Sequence, residues 1–182
     1  ETLDCMPSLS KATLSDIFAG NIATWTEILI NVGGKSTPLT EFAPSPLTTS
    51  LVHLCRRNLG ASTQAALNAY FLNNPCAPDA KVPVNLSNPV AGPVVLTPSQ
   101  VSLEEICLDN LSGGRRGLFN PKGNTAFAVG ILTTERNLTL SLDYRYIKID
   151  GFAPTVQEVY NGNYPYFTEG SYVFRKFAPK PT

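Results

Sequence analysis

Four segments of the chain carry the spacing or the capping residues of helices. In the first of them, Leu14, Ile17 and Phe18 recur at the intervals of one helix face, and Gly20 suits the position just after a helix. The others combine helix-forming composition with residues typical of helix starts and stops. The predicted helices therefore cover residues 10–20, 64–72, 97–108 and 154–162.

Apolar runs between these helices predict strands over residues 51–54, 126–132, 145–149 and 171–175. The run over 126–132 is continuous, which indicates a strand buried on both faces. The run over 145–149 alternates and indicates a half-exposed strand. Residues 36–50 are rich in Pro, Ser and Thr and predict a loop, whereas residues 76–101 contain five prolines and predict a long irregular excursion, which we interpret as a surface insertion.

The alternation of strands and helices predicts the fold class. It favours a three-layer α/β domain over a β-sandwich or a helix bundle, because each crossover helix then covers a face of the sheet. The sequence contains no internal repeat and no composition shift that would split it. We therefore expect residues 1–182 to form a single domain.

Composition and charge exclude several classes of partner. Lys plus Arg and Asp plus Glu both number 14, so no global basic field attracts nucleic acid or an anionic membrane surface. No apolar run approaches the roughly 20 residues that span a bilayer. The 43% hydrophobic and 15% charged content suits a soluble globular protein. Any electrostatic attraction is therefore expected to be local.

The cysteines indicate an exported protein. Cys5, Cys55, Cys76 and Cys107 have no CxxC spacing, and His53 is the only histidine, so a zinc cluster is poorly supported. Two disulfides are favoured over free buried thiols, which predicts a periplasmic or extracellular location. Three pairings are possible in principle. We favour Cys55 with Cys76, because they flank one predicted helix, and this leaves Cys5 with Cys107.

The clearest candidate chemistry lies in the stretch CRRNLGASTQ, residues 55–64, where two arginines precede a small-residue turn that opens a helix. A helix N-terminus offers unpaired N–H groups and a partial positive charge, which suit an anion. Arg56 and Arg57 alternate, so they are expected on opposite sides of a strand end, with only one facing a ligand. Arg57 is our candidate, since its planar fork suits an oxyanion.

Gly60, Ser62 and Thr63 complete the predicted ligand-binding turn with Arg57. The two hydroxyls have a second interpretation, because Ser and Thr also cap helix starts without binding anything. Arg115 and Arg116 also have two interpretations. They are either a second anion contact or, as we favour, part of a solvated loop.

Catalytic chemistry has little support in the sequence. His53 lies in an apolar run without a Ser or Cys partner in the local sequence, and no G-x-S-x-G motif occurs. We find no acid–base pair that would support a hydrolase. We therefore expect neither an enzyme nor a cofactor.

Five segments together resemble phosphate-binding proteins of the PstS type. The first is LSDIFAGNIATW, residues 14–25, which is similar to a helix and following tryptophan of that family. The others follow in the family's order at residues 57–63, 128–132, 146–155 and 162–166. The resemblance covers nearly the whole chain.

The resemblance implies a type 2 periplasmic binding protein fold, in which two α/β lobes with mixed, mostly parallel sheets close on a ligand at a hinge. The chain is similar to the second lobe plus the hinge crossovers. It is therefore either part of a longer two-lobed polypeptide, which we favour, or a lobe that works differently.

The family's anion contacts come from an arginine and a Ser-Gly-Thr turn. Arg57 matches that arginine and Thr63 matches the threonine. Ala61 stands where the serine would be, and Ser62 stands where the glycine would be. Leu59 replaces an acidic residue that braces the arginine. The chain thus lacks one hydroxyl and one orienting carboxylate of the family's site.

These observations predict an extracytoplasmic solute-binding domain for phosphate or a similar oxyanion. Its expected protein partners are a second lobe or the membrane component of an ABC transporter. The alternative is a binding-protein scaffold with a degraded pocket that serves as an extracellular interaction or structural module. That alternative rests on the departures in the turn and on the many aromatic residues of the C-terminal third.

Overall fold

The computed structural model describes residues 6–32, 34–42, 47–136 and 141–168. They form a mixed structure that confirms the α/β class, and no helix among them is long and apolar enough to cross a membrane. The strands are β1 (Ser8–Leu9), β2 (Leu29–Val32), β3 (Lys35–Pro38), β4 (His53–Cys55), β5 (Val94–Leu96), β6 (Ala128–Gly130) and β7 (Lys148–Ile149); the helices are α1 (Lys11–Ala19), α2 (Ser62–Leu72), α3 (Val101–Ser112) and α4 (Val156–Tyr160), with short 3-10 helices at Trp25–Glu27 and Leu39–Phe42.

A three-stranded parallel sheet with the order β5-β4-β6 organises the molecule. Leu54 in the central strand lies in register with Val95 and Val129, and all three side chains belong to the hydrophobic cluster of α1 and α2. Cys55 and Leu96, one residue further on, belong to the cluster of α3. Since successive strand residues point to opposite faces, α1 and α2 cover one face and α3 covers the other.

Two smaller sheets lie outside this one. β1 pairs with β7 in parallel, which joins the start of the described chain to a strand near its end. β2 and β3 form an antiparallel hairpin.

The larger core lies between α1, α2 and the sheet. Ile17 and Leu67 are buried there, and the rings of Phe18 and Phe71 lie 5.2 Å apart. Trp25 joins this core, and its indole N–H donates to the carbonyl of Phe127 at 2.9 Å. The spacing that predicts α1 therefore corresponds to its buried face.

A disulfide between Cys55 and Cys107 ties β4 to α3 across the second core, with the two Cα atoms 6.0 Å apart. The predicted pairings of Cys55 with Cys76 and of Cys5 with Cys107 are wrong. Cys76 carries a free, exposed thiol, and Cys5 lies outside the described residues.

The helix between Cys55 and Cys76 explains the error. α2 starts near the end of β4 and runs for 11 residues, or about 16 Å along its axis, before the chain reaches Cys76. Cys55 also points to the face of the sheet opposite α2.

The four predicted helices are present, but several other elements differ from the prediction. The excursion over residues 76–101 contains β5, so it supplies an edge strand of the sheet. The predicted loop over 36–50 contains β3 and a 3-10 helix. β6 is only half-buried, because β4 is its one pairing strand within the described residues. The predicted strand over 171–175 lies outside the described residues.

Candidate functional site

A small cavity lies at the carboxyl ends of β4 and β6, beside the first turn of α2. Open α/β sheets bind ligands outside the carboxyl ends of their strands. The polar side chains that line the cavity are those of Arg56, Arg57, Thr63, Gln64 and Glu104. Its volume is about 10 Å³, close to the space that one water molecule requires. The cavity is therefore polar, narrow and located where this class of fold binds ligands.

The first turn of α2 has no side-chain cap. Its N-cap is Ala61, in an extended conformation, and no side-chain hydrogen bond caps the helix within the part of the chain that the structure describes. These groups have no partner inside a helix. The interpretation of Ser62 or Thr63 as the cap is therefore wrong, and the partial positive charge of the helix end remains available to an anion.

Arg57 and Thr63 both line the cavity, as the sequence predicts for ligand contacts. Arg57 Nη2 donates to the carbonyl of Ser99 at 3.0 Å, whereas its Nε is buried without a hydrogen-bond partner in the described part of the chain. Thr63 Oγ1 is likewise buried and without a described partner. Two hydrogen-bonding atoms therefore remain unused at the start of α2.

Ser62 and Gly60 do not join them. Both residues are exposed and neither lines the cavity. Consecutive residues of a helix point about 100° apart, so Ser62 faces outward where Thr63 faces inward. The structure thus brings together two of the four predicted ligand-binding residues.

Arg56 also lines the cavity, so the prediction that only one of the two arginines faces it is wrong. Arg56 is more deeply buried than Arg57 and has a structural partner. Its Nη1 donates to the carbonyl of Val84 at 2.8 Å, and its Nη2 donates to Asn85 Oδ1 at 2.7 Å. The side chain is 8% exposed, and burial lowers its pKa. Arg56 therefore anchors residues 84–85 to the end of β4, while its Nε is buried and has no partner among the described residues.

Glu104, in the first turn of α3, is the acidic residue of this cavity, and sequence reasoning missed it. It is 1% exposed. Its Oε1 accepts a hydrogen bond from the backbone N–H of Ile131 at 2.9 Å, and its Oε2 is buried without a described partner. Burial raises the pKa of this carboxyl to about 7, although the Ile131 hydrogen bond and the charge of Arg57 both oppose the shift.

A signal for Glu104 exists in the sequence. It precedes Cys107, Leu108 and Leu111 by three, four and seven residues, which places it on the same helix face as three buried residues. Its neighbour Glu105 lies off this face. Glu105 accepts a hydrogen bond from the Tyr144 hydroxyl at 2.8 Å and forms an ion pair with Arg136 at 3.2 Å.

Gly130 allows Glu104 and β4 to approach β6 closely. A Cβ on Gly130 would lie 2.7 Å from the carbonyl oxygen of Cys55 and 3.1 Å from Glu104 Oε1. Only a residue without a side chain fits this position without a shift of its neighbours. The floor of the cavity therefore depends on a glycine.

Other candidates lie away from this cavity. His53 is half-buried, its Nδ1 lies 2.9 Å from the Leu51 carbonyl oxygen, and burial lowers its pKa. Arg115 pairs with Asp109 at 2.9 Å and with Asp143 at 2.6 Å, so it is engaged by carboxylates. No group of three or more potential metal ligands occurs within the described ranges.

Comparison with known proteins gives no family assignment. No protein-family model, no curated protein and no solved structure matches the chain. The resemblance to PstS-type proteins therefore remains a hypothesis that rests on the five sequence segments.

Proposed function

We propose that the chain is an extracytoplasmic, PstS-like solute-binding domain that binds phosphate or a similar oxyanion at the cavity beside α2. The observation that carries the proposal is the pair of buried, unpartnered atoms Arg57 Nε and Thr63 Oγ1 next to an uncapped helix start. A guanidinium N–H, a hydroxyl and helix N–H groups are the donors that bind oxyanions in proteins. Their convergence supports an anion as the ligand.

The fold is compatible with one lobe of a type 2 periplasmic binding protein. The parallel sheet has helices on both faces, and the candidate contacts lie at the strand ends where such a lobe would face its ligand. The disulfide supports an oxidising compartment, in keeping with a periplasmic or extracellular location. A second lobe or a transporter's membrane component remains the proposed partner.

The size of the cavity predicts weak binding by this chain alone. A volume of about 10 Å³ holds one water rather than a phosphate. The oxyanion would therefore bind at the mouth of the cavity, held on one side by Arg57 and Thr63. A second lobe would supply the remaining contacts and close the ligand off from solvent.

Paired variants test this proposal. Arg57→Ala and Thr63→Val each remove one proposed contact, and Arg116→Ala and Ser62→Ala are their controls, because both controls alter exposed residues outside the cavity. We expect the first pair to weaken phosphate and sulfate binding at least tenfold by calorimetry, and the control pair to leave it within about twofold. Equal affinities in all four variants would contradict the proposal.

The alternative, a scaffold used as an extracellular interaction module, has one specific observation in its favour. Val156 and Tyr160 are each 86% exposed on α4, a helix with no buried residue. Together with the narrow cavity, this supports a function at the surface. Equal stability of wild type and Arg57→Ala, with and without oxyanions, would favour the alternative.

A further inference from the structure

The carboxyl group of Glu104 faces the same cavity as the proposed anion contacts. We propose that Glu104 is a further ligand-contacting residue, and that an anion binds at the mouth of the cavity together with a proton held on Glu104 Oε2. This inference rests on the proposed oxyanion function and specifies the ligand as an anion plus a proton.

The geometry leaves one oxygen of Glu104 available. Oε1 is fixed by the N–H of Ile131, whereas Oε2 is buried without a described partner. Arg57 lines the same cavity, yet no ion pair joins it to Glu104 in the part of the chain that the structure describes. Because a buried carboxylate oxygen without a partner is unfavourable, Oε2 is better placed as a protonated donor to a bound group.

The charged and titratable groups around Glu104 come from several elements. Arg56 and Arg57 approach from the end of β4, and Ile131 contributes its N–H from the segment after β6. The charge of Glu104 also helps to raise the pKa of Tyr166, a half-buried side chain near the end of the described chain, after burial and the charge of Tyr164. Among the described residues, no second carboxylate lines the cavity.

The protonation state of Glu104 decides how the cavity treats an anion. When Glu104 is ionised, its charge offsets that of Arg57 and repels an anion across a poorly solvated gap. When Glu104 is protonated, Oε2–H donates a hydrogen bond and the positive charge of Arg57 is available. At a pH where Glu104 is ionised, the site therefore binds one anion and takes up one proton from solvent, and Glu104 is neutral in the complex. The O–H bond of Glu104 is the one covalent bond that forms. Burial places this change near neutral pH.

Sulfate is the suitable probe, because it keeps the same charge across neutral pH, whereas phosphate titrates in that range itself. We would measure sulfate affinity by calorimetry at about pH 5.5 and about pH 8.5 for wild type and Glu104→Gln. With one proton coupled and a pKa of about 7, wild type should bind sulfate about 30-fold more weakly at the higher pH. Glu104→Gln carries an uncharged donor and should bind equally at both.

Proton uptake gives a second, independent readout. At about pH 8.5, titrations in buffers of different ionisation enthalpy should show close to one proton taken up per sulfate by wild type and none by Glu104→Gln. Glu105→Gln is the matched control, since this neighbouring carboxylate contacts Tyr144 and Arg136 instead of the cavity. It should keep the proton uptake of wild type.

The outcomes separate the inference from the function beneath it. Sulfate binding by wild type that is equal at both pH values would overturn the inference and leave the oxyanion function standing. A pH dependence that persists in Glu104→Gln would also overturn the inference, because another group would then carry the proton. Absence of binding in both proteins at both pH values would overturn the proposed function and, with it, the inference.

Discussion

Four buried polar atoms without described partners belong to residues that line one cavity. Arg56 Nε lies on a guanidinium already held by Val84 and Asn85; the other three are Arg57 Nε, Thr63 Oγ1 and Glu104 Oε2. A buried polar group without a hydrogen bond costs about 1–3 kcal/mol of stability. Isolated cases occur in many proteins, but three on different elements that line the same small volume are better explained by a bound polar group. The proposed anion and proton would supply partners for all three.

The buried carboxyl of Glu104 should make stability depend on pH. Below about pH 4.5 it is protonated in the folded and unfolded states. Between that pH and about 7, the unfolded chain ionises while the folded protein keeps its proton. Folding is therefore progressively disfavoured as pH rises through this window, by about 3 kcal/mol at its upper end.

Glu104→Gln should remove this dependence. We expect the free energy of unfolding of the variant, relative to wild type, to rise by about 3 kcal/mol between about pH 4.5 and about pH 8. Urea denaturation at several pH values measures it. A difference that stays flat across this range would show that Glu104 has an ordinary pKa in the folded protein.

At this scale the sequence predicted the arginine and threonine of the cavity but not its carboxylate. Arg57 and Thr63 belong to one short stretch, so the sequence pattern of a helix start is sufficient to predict them. Glu104 lies more than 40 residues further along the chain and reaches the cavity through the packing of α3 on the sheet. Ser62 is a predicted contact because residue type alone does not show which way a side chain points.

At the scale of elements, the approach of β6 to β4 forms the floor of the cavity. Gly130 lies in register with Cys55, and a Cβ there would lie 2.7 Å from the Cys55 carbonyl oxygen. A Cβ on Gly130 would push the two strands apart, because the atom it meets at this distance is a backbone oxygen and not the end of a flexible side chain. The parallel pairing and the position of Glu104 therefore depend on this residue.

Gly130→Ala should destabilise the protein by about 1–3 kcal/mol through overpacking. Gly60→Ala is the matched control, because nothing lies within 4 Å of a Cβ on Gly60 and its backbone does not require glycine; it should be close to neutral. Thermal and urea unfolding of both variants measure the effects. Equal stabilities would contradict the close approach of β6 and β4.

Helices were more predictable than strands from the sequence. α1 and α2 carry their own signals, namely the buried face of α1 and the left-handed C-cap residues Gly20 and Asn73. β5 is only three residues long and follows a proline-rich segment, so its pairing with β4 depends on tertiary contacts that no local pattern encodes. The same holds for β3, because the Pro, Ser and Thr content of residues 36–50 predicts a loop there.

At the scale of the whole molecule, the layered arrangement determines which distant residues meet. The α/β class followed from the alternation of elements, but the disulfide did not follow from chain proximity. Cys55 points toward α3 on one face of the sheet, and Cys76 follows α2 on the other. The prediction from the flanked helix leaves out the face of the sheet toward which each cysteine points, and tertiary packing decides that face.

Because the chain has no net charge, attraction of an anion would have to come from the local donors of the cavity. With 14 basic and 14 acidic residues, the chain has no long-range field to concentrate an anion. The proposed recognition of an anion would therefore depend on the few donors at the end of β4 and the start of α2. If the chain is the proposed single lobe, it offers one side of a site and should bind an oxyanion weakly.

The most direct test is an amide-resolved NMR titration of the 182-residue chain with sulfate at about pH 5.5 and low ionic strength, with sodium chloride as the ionic control. We predict saturable shifts concentrated in residues 57–64 and at Glu104, Gly130 and Ile131, which chloride does not reproduce. A folded chain whose shifts at these residues match those in chloride would contradict the account, and the exposed surface of α4 would then be the place to seek its function.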